Sequence, residues 1–176
     1  MCQWCGPQGA ALDVTMVERP AERLVGFVWE GPYSDAVSGA TLEVLRRAQR
    51  LAAKASELWL GPLVALSSID GPDRFRFFAG LDGLADKQDA EVRDSAPARY
   101  ATVWHDEGDV LDRYERLLDW TRAAGQRWDK SAIHHREEYP LHVDLSAPPV
   151  MRLMLPLASR ARPARSSSPA TQPRSG

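Results

Sequence analysis

The chain predicts an α+β domain made of two similar halves, each a small antiparallel sheet backed by one long helix. Three observations carry this. Short runs rich in Val, Leu, Phe and Trp recur between turn residues, which is how strands read. Two longer stretches instead keep apolar residues at helical spacing. The order strand, strand, helix, strand, strand then occurs twice.

Length and composition bound the reading. A chain of 176 residues, 44% hydrophobic and 26% charged, suits one soluble domain or two packed halves with a real core. No apolar run reaches membrane-spanning length, and no basic region followed by an apolar one opens the sequence. Cytoplasmic residence is the expectation, with no membrane partner. The formal net charge of -2 hides a split, because Arg160, Arg162, Arg165 and Arg174 lie in a tail without acids. The body before them is more acidic than the whole, which argues against direct nucleic-acid binding. The only cysteines, Cys2 and Cys5, form a Cys-x-x-Cys that precedes Gly6-Pro7-Gln8-Gly9 rather than a helix. One such pair is half a tetrahedral zinc site, so neither metal nor redox chemistry is assigned to it.

Taken in order, residues 1–10 read as a disordered leader. Leu12 to Val17 alternates like a strand, with Leu12, Val14 and Met16 on one face, and Pro20 punctuates it. Arg23 to Glu30 is the second strand, ended by Gly31-Pro32. Ser34 or Asp35 caps a helix whose apolar face runs Val37, Ala40, Val44, Ala48, Leu51, Ala55 and Leu58, with Arg46, Arg47, Arg50 and Lys54 largely off it. Gly61-Pro62 stops it; Leu63 to Ile69 and Arg74 to Leu81 form a hairpin around Asp70-Gly71-Pro72-Asp73. The second half follows suit. Ala90 to Arg93 and Ala98 to His105 are strands, and Asp109 is an N-cap for a helix bearing Val110, Tyr114, Leu117, Thr121 and Ala124 on one side. Gly125 ends it, and Ile133 to Val143 and Val150 to Leu157 supply the last strands. Residues 158–176, mostly Ser, Pro, Ala and Arg, read as a disordered basic tail.

The two halves, about 11–83 and 88–157, align at several points. Pro20-Ala21, Glu30-Gly31 and Asp35 match Pro97-Ala98, Glu107-Gly108 and Asp112 at a single offset of 77. The expected architecture is therefore a duplicated β-α-β-β unit with pseudo-two-fold symmetry. Two such units joined edge to edge leave a central cleft where the open sheet faces meet, a natural place for a small ligand.

The stretch His134 to Leu141 is where chemistry concentrates. Alternation puts Glu137, Tyr139 and Leu141 on one face, Arg136, Glu138 and Pro140 on the other. Either the Glu137 face is solvated, or a carboxylate sits in an aromatic pocket awaiting a polar or cationic ligand.

The segments Asp13–Pro20, Val25–Tyr33, Ala98–His105 with Gly108, Glu137-Glu138-Tyr139 and Leu153–Leu157 together resemble the GyrI-like small-molecule-binding domain, also called the AraC-type effector-binding domain. The likeness covers residues 11–157 and rests on order and spacing rather than any one motif. It implies pseudo-symmetric β-α-β-β units around a ligand cleft, and a glutamate in an E-x-Y setting, here Glu137 and Tyr139, that meets cationic aromatic compounds. Relatives commonly follow a DNA-binding helix-turn-helix, for which the ten leader residues leave no room. The loop Ile69–Asp73 departs from the family's longer acidic segment.

Aromatics available for pocket walls include Phe27 and Trp29 on one strand face, and Tyr100 and Trp104 on another. These four join Glu137 and Tyr139 as expected ligand contacts, since ring faces attract cations. Two functions compete: a sensor or sequestering module for amphipathic cationic or aromatic molecules, and a hydrolase of strained electrophiles with Glu137 as general base and Tyr139 orienting substrate or water. Turnover separates them. A protein partner has no support beyond the resemblance. His105, His134, His135 and His142 could pair on a metal only if strands 98–105 and 133–143 were neighbours, and no cofactor is expected.

Overall fold

The computed structural model describes residues 12–55, 61–71, 73–85, 89–148 and 150–159. Leader, Cys2-x-x-Cys5, Leu58 and the tail from residue 160 fall outside the described residues. Eight strands form one antiparallel sheet: β1 (Thr15–Arg19), β2 (Glu22–Gly31), β3 (Leu63–Ile69), β4 (Phe75–Asp82), β5 (Glu91–Ser95), β6 (Ala98–His105), β7 (His135–Tyr139) and β8 (Met151–Leu157). Their order across the sheet is β1-β6-β8-β7-β3-β4-β2-β5. β3 and β7 join at the centre with Ala65 opposite Glu137.

Most strand boundaries fall within a residue or two of the expected ones, because Gly, Pro and Asp punctuate them. The clear exceptions are β1, which starts three residues later than the alternation of Leu12 suggests, and β7, only five residues long. Pro140 cannot donate to a sheet ladder, and the chain turns there.

Helices cover one face. The expected first helix is broken: a turn α1 (Tyr33–Asp35) runs into a π-helical segment Ala36–Ala40, and only then α2 (Thr41–Ala55). Gly39 sits at φ 101°, inside the left-handed region that glycine tolerates, and this forces the kink. Val37 consequently leaves the buried face and is 60% exposed. Val44, Leu45, Ala48, Leu51 and Ala52 are buried against β2, β3 and β4, where each large side chain contributes about 1.5–3 kcal/mol. α3 (Val110–Ala123) packs on β6 and β8. Its N-cap is Asp109, whose side chain accepts from the Leu111 N–H at 2.8 Å.

Two clusters of buried residues lie on opposite faces of the sheet. Under the helices are Val25, Leu63, Ala65, Phe77, Leu81, Val103, Tyr139 and Leu153 among others. On the open face are Leu24, Val64, Leu66, Phe78, Tyr100, Ile133 and Met154. Glycine at position 26 lets β2 and β4 meet closely, since a Cβ there would lie 2.0 Å from the Ala79 carbonyl oxygen.

Candidate functional site

The helix-covered face has a distinctive centre. Reading across the strands at the level of Glu137, the facing residues are Val103, Leu153, Glu137, Ala65, Ala79 and Phe27. Glu137 therefore stands in an otherwise apolar row. The two alanines beside it keep the floor low, and α2 and α3 pack on opposite halves of the sheet to either side.

Two tyrosines hold the carboxylate. Tyr139 Oη donates to Glu137 Oε2 at 2.5 Å, and Tyr114 Oη, from α3, donates to Oε1 at 3.0 Å. Among the described residues no Lys or Arg pairs with it. Burial raises the Glu137 pKa above the ordinary carboxylate value, and the two tyrosine hydrogen bonds only partly offset this. Tyr114 and Tyr139 are pushed well above 10, first by burial and next by the charge of Glu137. Tyr33, 42% exposed, is near enough to add to the shift on Tyr114, and it meets Phe75 edge-on at 5.6 Å. Although hemmed in by protein, Glu137 keeps some surface open.

One wall is a stack of rings. His135 lies 4.8 Å from Tyr114 and 5.9 Å from Trp128, whose indole N–H donates to the His134 carbonyl at 2.9 Å. Burial, then the neighbouring His134, lowers the His135 pKa to about 4, so this ring is neutral at physiological pH. A clamp lies beyond β7: Gln49 of α2 donates to the carbonyls of Leu141 and Val143 at 3.1 and 2.9 Å.

The expected contact residues divide between faces. Glu137, Tyr139, Phe27 and Trp29 share the helix-covered face; Trp29 packs near Phe75, and Arg47 lies over the Phe27 ring at 4.0 Å. Tyr100 and Trp104 do not join them. Tyr100 is buried on the open face, and Trp104, 50% exposed, carries Arg152 over its ring at 4.9 Å. The parity of β6 decides this: Ala101 and Val103 face the helices, so residues 100, 102 and 104 cannot. The expected cleft between open faces is likewise corrected, because Glu137 points under the helices. Metal pairing across neighbouring strands fails geometrically, since β8 separates β6 from β7.

Sequence reasoning missed Tyr114 and Tyr33 as site residues. Tyr114 was visible on the apolar stripe of α3, where a phenol needs a polar partner. It also passed over Glu138, which lies buried on the open face. Arg19 binds it in a fork at 2.7 and 2.7 Å, and Arg136 reaches it at 2.9 Å. Arg136, 1% exposed, grips Glu22 as well through both terminal nitrogens and lies 5.8 Å from the Tyr100 ring.

No family model and no curated protein matches the sequence. Solved structures do match in shape. The structure of SAV2435 bound to tetraphenylphosphonium superposes with a TM-score of 0.63 at 13% identity, over 84% of this chain and 94% of that one. The EcmrR C-terminal domain gives 0.56 at 14% identity, over 86% and 100%. A hydrolase from Listeria innocua gives 0.51 at 12% identity, over 82% and 91%. This likeness of shape gives the chain the fold of the GyrI-like effector-binding domains.

Proposed function

We propose that the protein binds amphipathic cations with aromatic character at Glu137, as a sensor or sequestering module. One observation carries the reading: a desolvated carboxylate held by two tyrosines with no basic side chain against it among the described residues. Such a charge costs free energy when unpaired, and a bound cation offsets that cost. Tyr114, Tyr139, Tyr33 and Trp29 offer ring faces, each cation–π contact contributing about 0.5–2 kcal/mol. The tetraphenylphosphonium bound by SAV2435 suggests the probe. Titration followed by tryptophan fluorescence should show saturable binding, with Glu137→Gln weakening it about tenfold, equivalent to ~1.4 kcal/mol. Equal affinity in both proteins would sink the proposal.

A second reading uses the same carboxylate as a general base. Its raised pKa is favourable for taking a proton from water that opens a strained ring. Product formation from an electrophilic cyclopropane, abolished by Glu137→Gln, would support it; binding without product would exclude it. We also attribute the matching order of elements in the two halves to duplication of a β-α-β-β unit.

A further inference from the structure

The strand order reads alike from both edges, so each feature of one half has a positional counterpart in the other. The registers fix these counterparts. Glu137 of β7 corresponds to Ala65 of β3, hence Arg136 to Val64 and Glu138 to Leu66. Phe27 of β2 corresponds to Val103 of β6, hence Glu22 to Ala98 and Arg19 to Ser95. Arg19, Glu22, Arg136 and Glu138 of the ion network thus have short or apolar counterparts. Where the network fills one half of the open face, the other half holds a cavity of about 210 Å³.

Its walls follow from that truncation. Leu66, Ser95 and Ala98 line it, together with Tyr100 and Ile133. One guanidinium enters: Arg93 of β5, half-buried. Among the described residues its hydrogen-bond acceptor is the Ala132 carbonyl at 3.5 Å, and no carboxylate forms an ion pair with it. Burial, followed by repulsion from Arg76, lowers its pKa, with Glu91 opposing. The two acids of the lining do not neutralise it: Asp94 is exposed, and Asp129 accepts from the Ser131 N–H at 3.0 Å.

We propose that this open-face cavity is a second ligand site, for a compact aromatic carboxylate. Its acid group pairs with Arg93 and its ring rests on Leu66, Tyr100 and Ile133. A planar carboxylate matches the fork of a guanidinium, and burial of the ring displaces water from an apolar wall. The site is independent of the Glu137 reading and opposite to it in charge preference.

The test uses the full chain and three probes: phenylacetate, the neutral phenylacetamide and the cationic phenethylamine. Amide NMR spectra should show phenylacetate moving the signals of Ala96, Ala98 and Ile133, with Arg93→Gln weakening binding at least tenfold. Arg93→Lys should fall between, because it keeps charge without the fork. Ser95→Phe should block the cavity. Phenylacetamide should bind more weakly and ignore Arg93→Gln. The proposal is overturned if acid and amide bind alike, if phenethylamine binds best, if Arg93→Gln and Ser95→Phe both leave affinity intact, or if no signal moves.

Discussion

At the scale of single residues, two neighbouring carboxylates show how environment divides roles. Glu138 sits among arginines. Burial alone would raise its pKa, but the Arg19 hydrogen bond and the charges of Arg136 and Arg19 outweigh that and hold it below the ordinary value. The stability this contributes is present above the unfolded carboxylate pKa and is lost as pH falls through the depressed folded one. Replacing Arg136 by Met removes the arginine that grips Glu22 and leaves Glu138 with Arg19, and should cost about 3–5 kcal/mol, read from chemical denaturation at pH 7. Glu137 behaves oppositely. Its raised folded pKa means stability declines as pH rises from the unfolded value through the folded one. Glu137→Gln should therefore raise Tm at pH 7 by about 2–4 °C while weakening cation binding about tenfold, and the gain should vanish at pH 4. A site held at the expense of stability predicts that pairing; a purely structural glutamate predicts a fall in Tm instead.

Helix ends and kinks carry the next level. Asp109→Ala removes the cap of α3 and should cost about 1 kcal/mol, with ligand affinity unchanged, because Tyr114 lies a full turn inside the helix. Gly39→Ala places a side chain at positive φ and should cost about 1–2 kcal/mol. It should also alter affinity for tetraphenylphosphonium, since the kink sets where Tyr33 enters. Calorimetry of both variants with and without the ligand separates the two effects. Elements with strong punctuation were legible in the sequence: β3 and β6 end where Leu63–Ile69 and Ala98–His105 do, and Asp109 announces α3. The broken first helix was not. Its apolar spacing runs straight through Gly39, and periodicity cannot distinguish a tolerated glycine from one at positive φ.

For the molecule as a whole, the sequence revealed the two-part pattern but not the way the parts join. Alternation identified which residues of each strand share a face; it could not say which face the helices take, and so it could not show that Tyr100 and Trp104 lie on the face away from Glu137. The offset of 77 at which the sequence matches itself is one place from the separation of Phe27 and Val103, which lie at one level of the sheet. The matched Glu30-Gly31 ends β2 whereas Glu107-Gly108 follows β6, so the matched residues do not hold the same places in the sheet. Nor could local patterns show that first strands are exchanged: β1 pairs with β6 of the second half, and β5 with β2 of the first. Fragments 12–85 and 89–159 should thus be unfolded when expressed separately and form a sheet when co-expressed, as circular dichroism would report. That exchange also has a consequence on the ribosome. β1 is synthesised before the rest of the sheet, yet its partner emerges only after all of β5, some 80 residues later. At roughly 5–20 residues per second, the leading strand waits several seconds with an unpaired edge. Thr15, Glu18 and Arg19, polar along that edge, are what such a delay would favour.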